Sequence, residues 1–198
     1  MKNTSRKFRK AFSLIEIIIA MALFLTVVLL ISDVFLGVSR TEEKTLVSTK
    51  VANDLSHSLT QLEDLVRNKT INYEKYGGSV ALAQNELNLL DENGKNIVVK
   101  VAAGYPNAEN TVLYVDYSDI DAENSYALTP NDIKITKLTF FISPEKDPYK
   151  LDPVTQLFGA DEQPRITVAI SAISTAGVES ARKQIDMQTT ISLRQYGR

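Results

Sequence analysis

A single carboxylate set in hydrocarbon is the first feature of this sequence that could do chemistry. Glu16 is the only charged residue between Phe12 and Ile31, FSLIEIIIAMALFLTVVLLI. An ionised Glu in the core of a bilayer costs about 2.5–3.5 kcal/mol on insertion scales. It is tolerated at the headgroup level, or where a partner of opposite charge meets it, since opposite charges attract strongly in a low dielectric and either alone is costly there. A second group of acids, Asp119, Asp121 and Glu123, alternates along the chain as calcium ligands do. Asn124 stands where a calcium loop needs its glycine, and Pro130 where it needs a bidentate Glu, so the stretch also reads as a solvated acidic loop. His57, the one histidine, lies on the polar side of a helical pattern beside Ser56 and Ser58 and reads as an exposed residue. There is no cysteine, hence no thiol nucleophile, disulfide or thiolate metal site. No glycine-rich phosphate loop and no HExxH occurs. These residues predict no catalytic group, no cofactor and no metal beyond the weak calcium candidate.

The element that must position Glu16 is the apolar run itself. About twenty residues at roughly 1.5 Å of helical rise each span the hydrocarbon core of a bilayer. Lys2, Arg6, Lys7, Arg9 and Lys10 precede the run, and no acid accompanies them. A basic flank before one apolar span predicts a cytoplasmic N-terminus and export of the remainder. The net charge is −2, from 22 basic and 24 acidic residues, so the part after the flank keeps 17 basic against the 24 acidic. An acidic exported domain argues against general affinity for nucleic acid backbones. A signal peptide or plain signal anchor also fits the basic flank. The apolar run, however, exceeds the usual 7–15 residues of a signal core, and no clear A-x-A site follows it.

Ala11-Phe12-Ser13-Leu14-Ile15-Glu16, in register with a basic leader and an apolar run, resembles the processing site of type IV prepilins and type II secretion pseudopilins. In that family a small residue, usually Gly and here Ala11, precedes the cut. The resemblance implies cleavage between Ala11 and Phe12 by a prepilin peptidase and N-methylation of Phe12. It further implies that Glu16 pairs with the terminal amine of a neighbouring subunit during assembly.

The helical pattern does not stop at the bilayer. From Phe12 to about Asn68 there is no Pro, and Gly37 is the only Gly, at a cost of about 1 kcal/mol relative to Ala. Val47, Val51, Leu55, Leu59, Leu62 and Val66 step by three or four and make one apolar stripe, with charged residues between them. Some 57 residues of helix would be about 85 Å long. Asp33, Gly37 and Ser39 mark the exit from the bilayer.

Tyr73 to Gly78, YEKYGG, then reads as a turn. Asn93-Gly94 between ELNLL (86–90) and NIVVKVA (96–102) is a hairpin signal. Thr111 to Tyr117 reads as a strand. Ile133 to Ile142 alternates at first and then turns apolar on both faces from Leu138. Ile166 to Ile173 alternates, and in the last strand Ile185, Met187, Thr189, Ile191 and Leu193 share a face. The connection from Ser143 to Pro164 holds four of the six prolines.

The predicted fold class is α+β: a long N-terminal helix packed on an antiparallel meander, pilin-like in plan. The expected division is a leader over 1–11, a transmembrane half-helix over 12–36, an amphipathic half-helix over 37–70 and a sheet domain over 71–198. The resemblance implies a structural subunit, a minor pilin or pseudopilin, and not an enzyme. Its implied partners are other pilin or pseudopilin subunits, prepilin peptidase, an inner-membrane assembly platform and membrane lipid, with no nucleic acid. Its implied place is the bacterial inner membrane, crossed once with the C-terminal domain outside, and then the pilus or pseudopilus. A membrane-anchored binding or sensor domain and a DNA-uptake pseudopilin are the alternatives.

Overall fold

The computed structural model describes residues 13–80, 82–104, 110–117, 122–151, 155–158, 162–175 and 182–193. The chain divides into two compact units, Met1–Glu43 and Lys44–Arg198. One α-helix, α1, runs over Leu14–Arg67. Ser13 opens it as N-cap: its hydroxyl and carbonyl oxygens accept from the Glu16 amide at 3.3 and 3.1 Å. Inside α1, Thr26, Ser32 and Thr41 return their hydroxyls to the carbonyls of Ala22, Val28 and Gly37, at 2.7, 2.8 and 2.9 Å. These three hydroxyls are thus satisfied by the helix's own backbone.

The strands are β1 (Thr70–Ile71), β2 (Leu87–Leu90), β3 (Asn96–Ala103), β4 (Thr111–Asp116), β5 (Tyr126–Ala127), β6 (Ile133–Ser143), β7 (Arg165–Ser174) and β8 (Ile185–Ser192). All their pairings are antiparallel, and within each sheet strands adjacent in sequence pair with one another. The α+β arrangement expected from the sequence is therefore present, with one refinement. The meander is cut into two sheets, β1-β2-β3-β4-β5 and β6-β7-β8. Leu128 to Asp132, between β5 and β6, is where the cut falls.

The β2–β3 hairpin turns through Asp91 to Lys95. The Asp91 carboxylate accepts from the backbone amides of Asn93 and Lys95, at 2.6 and 3.1 Å. Gly94 takes φ +73°, a left-handed value that L side chains rarely adopt, which explains glycine there. YEKYGG is a 3-10 turn over Tyr73–Tyr76 that ends in two left-handed glycines, Gly77 and Gly78.

In β6 the sequence expectation of a doubly apolar end is corrected. The register slips at Thr136, a β-bulge. Ile133 and Ile135 point inward before it, and Leu138, Phe140 and Ile142 after it, while Phe141 is 43% exposed. One extra residue moves the inward set from odd to even positions, so only one face is buried.

The core lies within the second unit. The α1 stripe Val51, Leu55, Leu59, Leu62 and Val66 joins one cluster with inward residues of both sheets, among them Leu89, Val99 and Val115 of the first and Phe140, Val168 and Ile191 of the second. Ser58 sits in the same stripe, buried, with its hydroxyl 2.8 Å from the carbonyls of Asp54 and Leu128. On Leu62→Ala, a residue with no exposed surface, unfolding should become easier by about 2–5 kcal/mol. Leu46→Ala, on the same helix but 64% exposed, should change it by less than about 0.5 kcal/mol. Denaturant midpoints of the folded domain compare the two. Ser58→Ala strands the buried Leu128 carbonyl and should cost about 1–3 kcal/mol by the same measurement.

Candidate processing and assembly site

Ala11 and Phe12, the residues at the expected cut, lie outside the described residues, and the geometry that can be stated begins at Ser13. Ser13 caps α1, and Glu16 stands in its first turn. Helix N-termini carry partial positive charge, so an acid at this position is favoured electrostatically. Ser13-Leu14-Ile15-Glu16 also has the S-x-x-E spacing of a capping box. That signal is readable in the sequence alone. It gives Glu16 a local reason to be at the head of a helix, independent of any partner.

From Leu14 onward α1 is exposed on all sides. Ile15, Ile18, Met21, Leu25, Leu29 and Val34 are each more than half exposed, although their chemistry is that of a core. The helix is long and apolar enough to cross a membrane, and none of its most apolar window is buried within the chain. Large apolar side chains facing outward over several turns need hydrocarbon or other helices around them. After Val47 the pattern changes: charged residues occupy one side and the buried stripe the other.

Asp119 and Asp121 lie outside the described residues. Glu123 is in a short 3-10 turn over Ala122–Asn124. Among the described residues no three His, Cys, Asp or Glu side chains cluster as metal ligands would. His57 is exposed, as expected, and its Nε2 lies 3.0 Å from Gln61 Nε2 one turn on. Ser58, its neighbour, faces the core instead.

Lys100, Tyr73 and Tyr76 of the second unit bond within it. Lys100 Nζ is 2.7 Å from Asp116 Oδ2, and this hydrogen bond to Asp116 raises the lysine's pKa. Burial raises the pKa of Tyr73 and of Tyr76. Both phenols are therefore neutral donors at physiological pH. Tyr73 donates to the Pro144 carbonyl at 3.2 Å, and Tyr76 donates to the Glu86 carbonyl at 3.0 Å while accepting from the Asn88 amide at 2.7 Å. A groove of about 410 Å³ beside Tyr73 carries Lys146 and Lys150 against Glu74 and Asp147, with Lys150 Nζ 3.7 Å from Glu74 Oε1.

No curated protein and no solved structure matches the chain. Residues 6–32 match the family model described as the prokaryotic N-terminal methylation motif. That stretch takes in four of the five basic residues of the flank, the Ala11-Phe12 pair, the cap at Ser13, Glu16 and most of the exposed apolar face. The chain carries the type IV pilin-like signature at the head of a long apolar helix.

Proposed function

We propose that this chain is a structural subunit of a pilus-type filament, a minor pilin or pseudopilin of a type IV pilus or type II secretion pseudopilus. The observation that carries the reading is the methylation motif at residues 6–32. In this reading the precursor is held in the inner membrane by the apolar part of α1. The basic flank keeps the N-terminus in the cytoplasm, and the sheet-bearing unit lies outside. Prepilin peptidase cuts between Ala11 and Phe12, and Phe12 becomes the methylated N-terminus. The subunit then leaves the bilayer through an assembly platform, exchanging lipid for the helices of its neighbours.

Glu16 is given the assembly role. The cut leaves a positive amine at Phe12, four residues from Glu16. Two unit charges 4 Å apart attract by about 4 kcal/mol at an effective dielectric of 20. That is comparable to the roughly 2.5–3.5 kcal/mol that an acid costs in a membrane-like surrounding. A helix docked with Glu16 against a neighbour's amine offsets the burial of both groups, and a helix slipped by a turn leaves both unpaired. The axial register is thereby selected. The alternating acids Asp119, Asp121 and Glu123 are assigned to a solvated loop, without metal.

The first test is the mass of the mature N-terminus, taken from membranes of the native host. The expected chain begins at Phe12 and carries one added methyl group. A chain that begins at Met1, in cells whose peptidase processes a control pilin, would sink the proposal and leave an anchored domain. The second test separates capping from charge at Glu16. Glu16→Gln keeps a hydrogen-bonding side chain at the third helical position and removes the charge. Recovery of the subunit in sheared filaments should fall with Glu16→Gln as with Glu16→Ala. Normal recovery of Glu16→Gln would leave Glu16 only its local role in the helix.

A further inference from the structure

Among the described residues the two sheets present four edges, and three of them are short or occupied. β1 and β5, which close the first sheet, are two residues long. β6, on one side of the second sheet, carries the bulge and is bonded from outside. Gln84 exchanges both backbone hydrogen bonds with Phe140, at 2.8 and 2.9 Å, and the Thr111 hydroxyl donates to the Ile135 carbonyl. The fourth edge is β8. It is eight residues long, it pairs with β7 without a register shift, and among the described residues no strand lies on its other side. Proteins blunt such edges with Pro, Lys, a bulge or a very short strand. β8, IDMQTTIS, has none of these.

The direction of its free backbone groups follows from one bond. The Leu193 amide donates to the Pro164 carbonyl at 3.0 Å, one step beyond the pair of Ser192 and Arg165. Bonded pairs of an antiparallel ladder recur at every second residue. Ile185, Met187, Thr189 and Ile191 therefore bond to β7. Asp186, Gln188, Thr190 and Ser192 turn their amides and carbonyls to the open side. The side chains of these four are exposed, on the face away from the core. Ile185 and Met187, on the other face, pack against the core and yet stay partly open at its rim.

We propose that β8 is completed by an extended strand from a different protein of the assembly, one whose side chains alternate between polar and apolar. Bare amides and carbonyls at every second residue along one line are matched together by another extended backbone. Residues opposite one another in adjacent strands share a face. The incoming residues that bond to Asp186, Gln188, Thr190 and Ser192 are therefore polar, and those between them are apolar and cover Ile185 and Met187. A second copy of this chain does not supply the strand. Antiparallel β8 against β8, the sense of every pairing in both sheets, is a two-fold about the normal to the sheet. That rotation also reverses α1, whose apolar stripe packs on the inner face. Two chains held in one membrane, or running one way along a filament, do not take it. Copies facing the same way have to offer another edge, and the other three are short or occupied. The foreign strand deepens the filament reading and rests on it, because that reading is what excludes β8 against β8.

The probe is a labelled synthetic peptide of alternating Val and Thr, as long as β8 and with a Lys at each end, added to the full chain in detergent. Fluorescence anisotropy should show binding. N-methylation of the Thr amides should abolish it, and N-methylation of the Val amides should leave it, because only the Thr residues bond to β8. Gln188→Pro removes one outward amide and spares the ladder to β7, a place where an edge strand tolerates Pro. It should weaken binding about tenfold with little change in the denaturant midpoint, while Gln188→Ala binds as the parent does. The methylated peptides test the same bonds without altering the protein. No binding would overturn the proposal. So would equal behaviour of the two methylated peptides, or a homodimer of the full chain that Gln188→Pro dissolves. In the native host, Gln188→Pro should be cut and methylated at Phe12 and yet be lost from sheared filaments, and its normal recovery would also overturn the proposal. The N-terminal mass reports separately on the filament reading. Methylated Phe12 without peptide binding removes the strand alone. Peptide binding by a chain that keeps Met1 leaves the open edge and removes the filament reading.

Discussion

The structure depends on one constraint: a single helix must satisfy two surroundings. A backbone in hydrocarbon has no water to bond to, and a helix answers this by bonding every interior amide to its own chain. α1 meets that demand from Leu14 onward and extends it to its hydroxyls, which bond back to the preceding turn. Beyond Val47 water is available and the requirement changes. The apolar surface narrows from the whole cylinder to a stripe one residue in three or four wide, and that stripe is the floor of the core. The change is one of composition, with no break in the helix. Pro is absent throughout α1, and Gly37 is its only Gly.

The core itself turns on a short segment between the two sheets. Leu128 is held from two sides: its amide donates to the Leu113 carbonyl at 2.7 Å, and its carbonyl meets Ser58 of α1. The buried Thr129 hydroxyl accepts from the Leu113 amide at 2.9 Å. Asn110 reaches the Asn131 carbonyl at 2.6 Å, and Asp132 pairs with Lys50 of α1. The chain leaves one sheet and enters the other across this knot. The polar groups freed by ending β5 are thus taken up before β6 begins. A serine in the apolar stripe is what permits it. Leucine at position 58 would fill space and leave the Leu128 carbonyl without that donor.

Much of this was legible in the sequence, and the misses have physical causes. The absence of proline and the recurring apolar stripe made α1 legible: the observed Leu14–Arg67 falls within the helix expected over 12–70. Asn93-Gly94 gave the β2–β3 hairpin, because few residues adopt positive φ. The division into two sheets was not legible, since it depends on long-range bonds that Ser58, Thr129 and Asn110 make to residues far along the chain. The β6 bulge was half legible: the change of phase after Ile135 was visible, but it read as burial of both faces. Phase alone does not separate an inserted residue from a doubly covered strand. At the head of α1 the acid at Glu16 and the S-x-x-E spacing of its cap were both legible, since each is carried by residue type and position alone.

Serine and glutamate at the head of α1 describe one residue pair with two uses. A cap fixes where a helix begins, and a charge fixed to that beginning has a defined height along the axis. Any partner that reads the height of Glu16 therefore also reads Ser13, since the hydroxyl sets the residue from which the helix is counted.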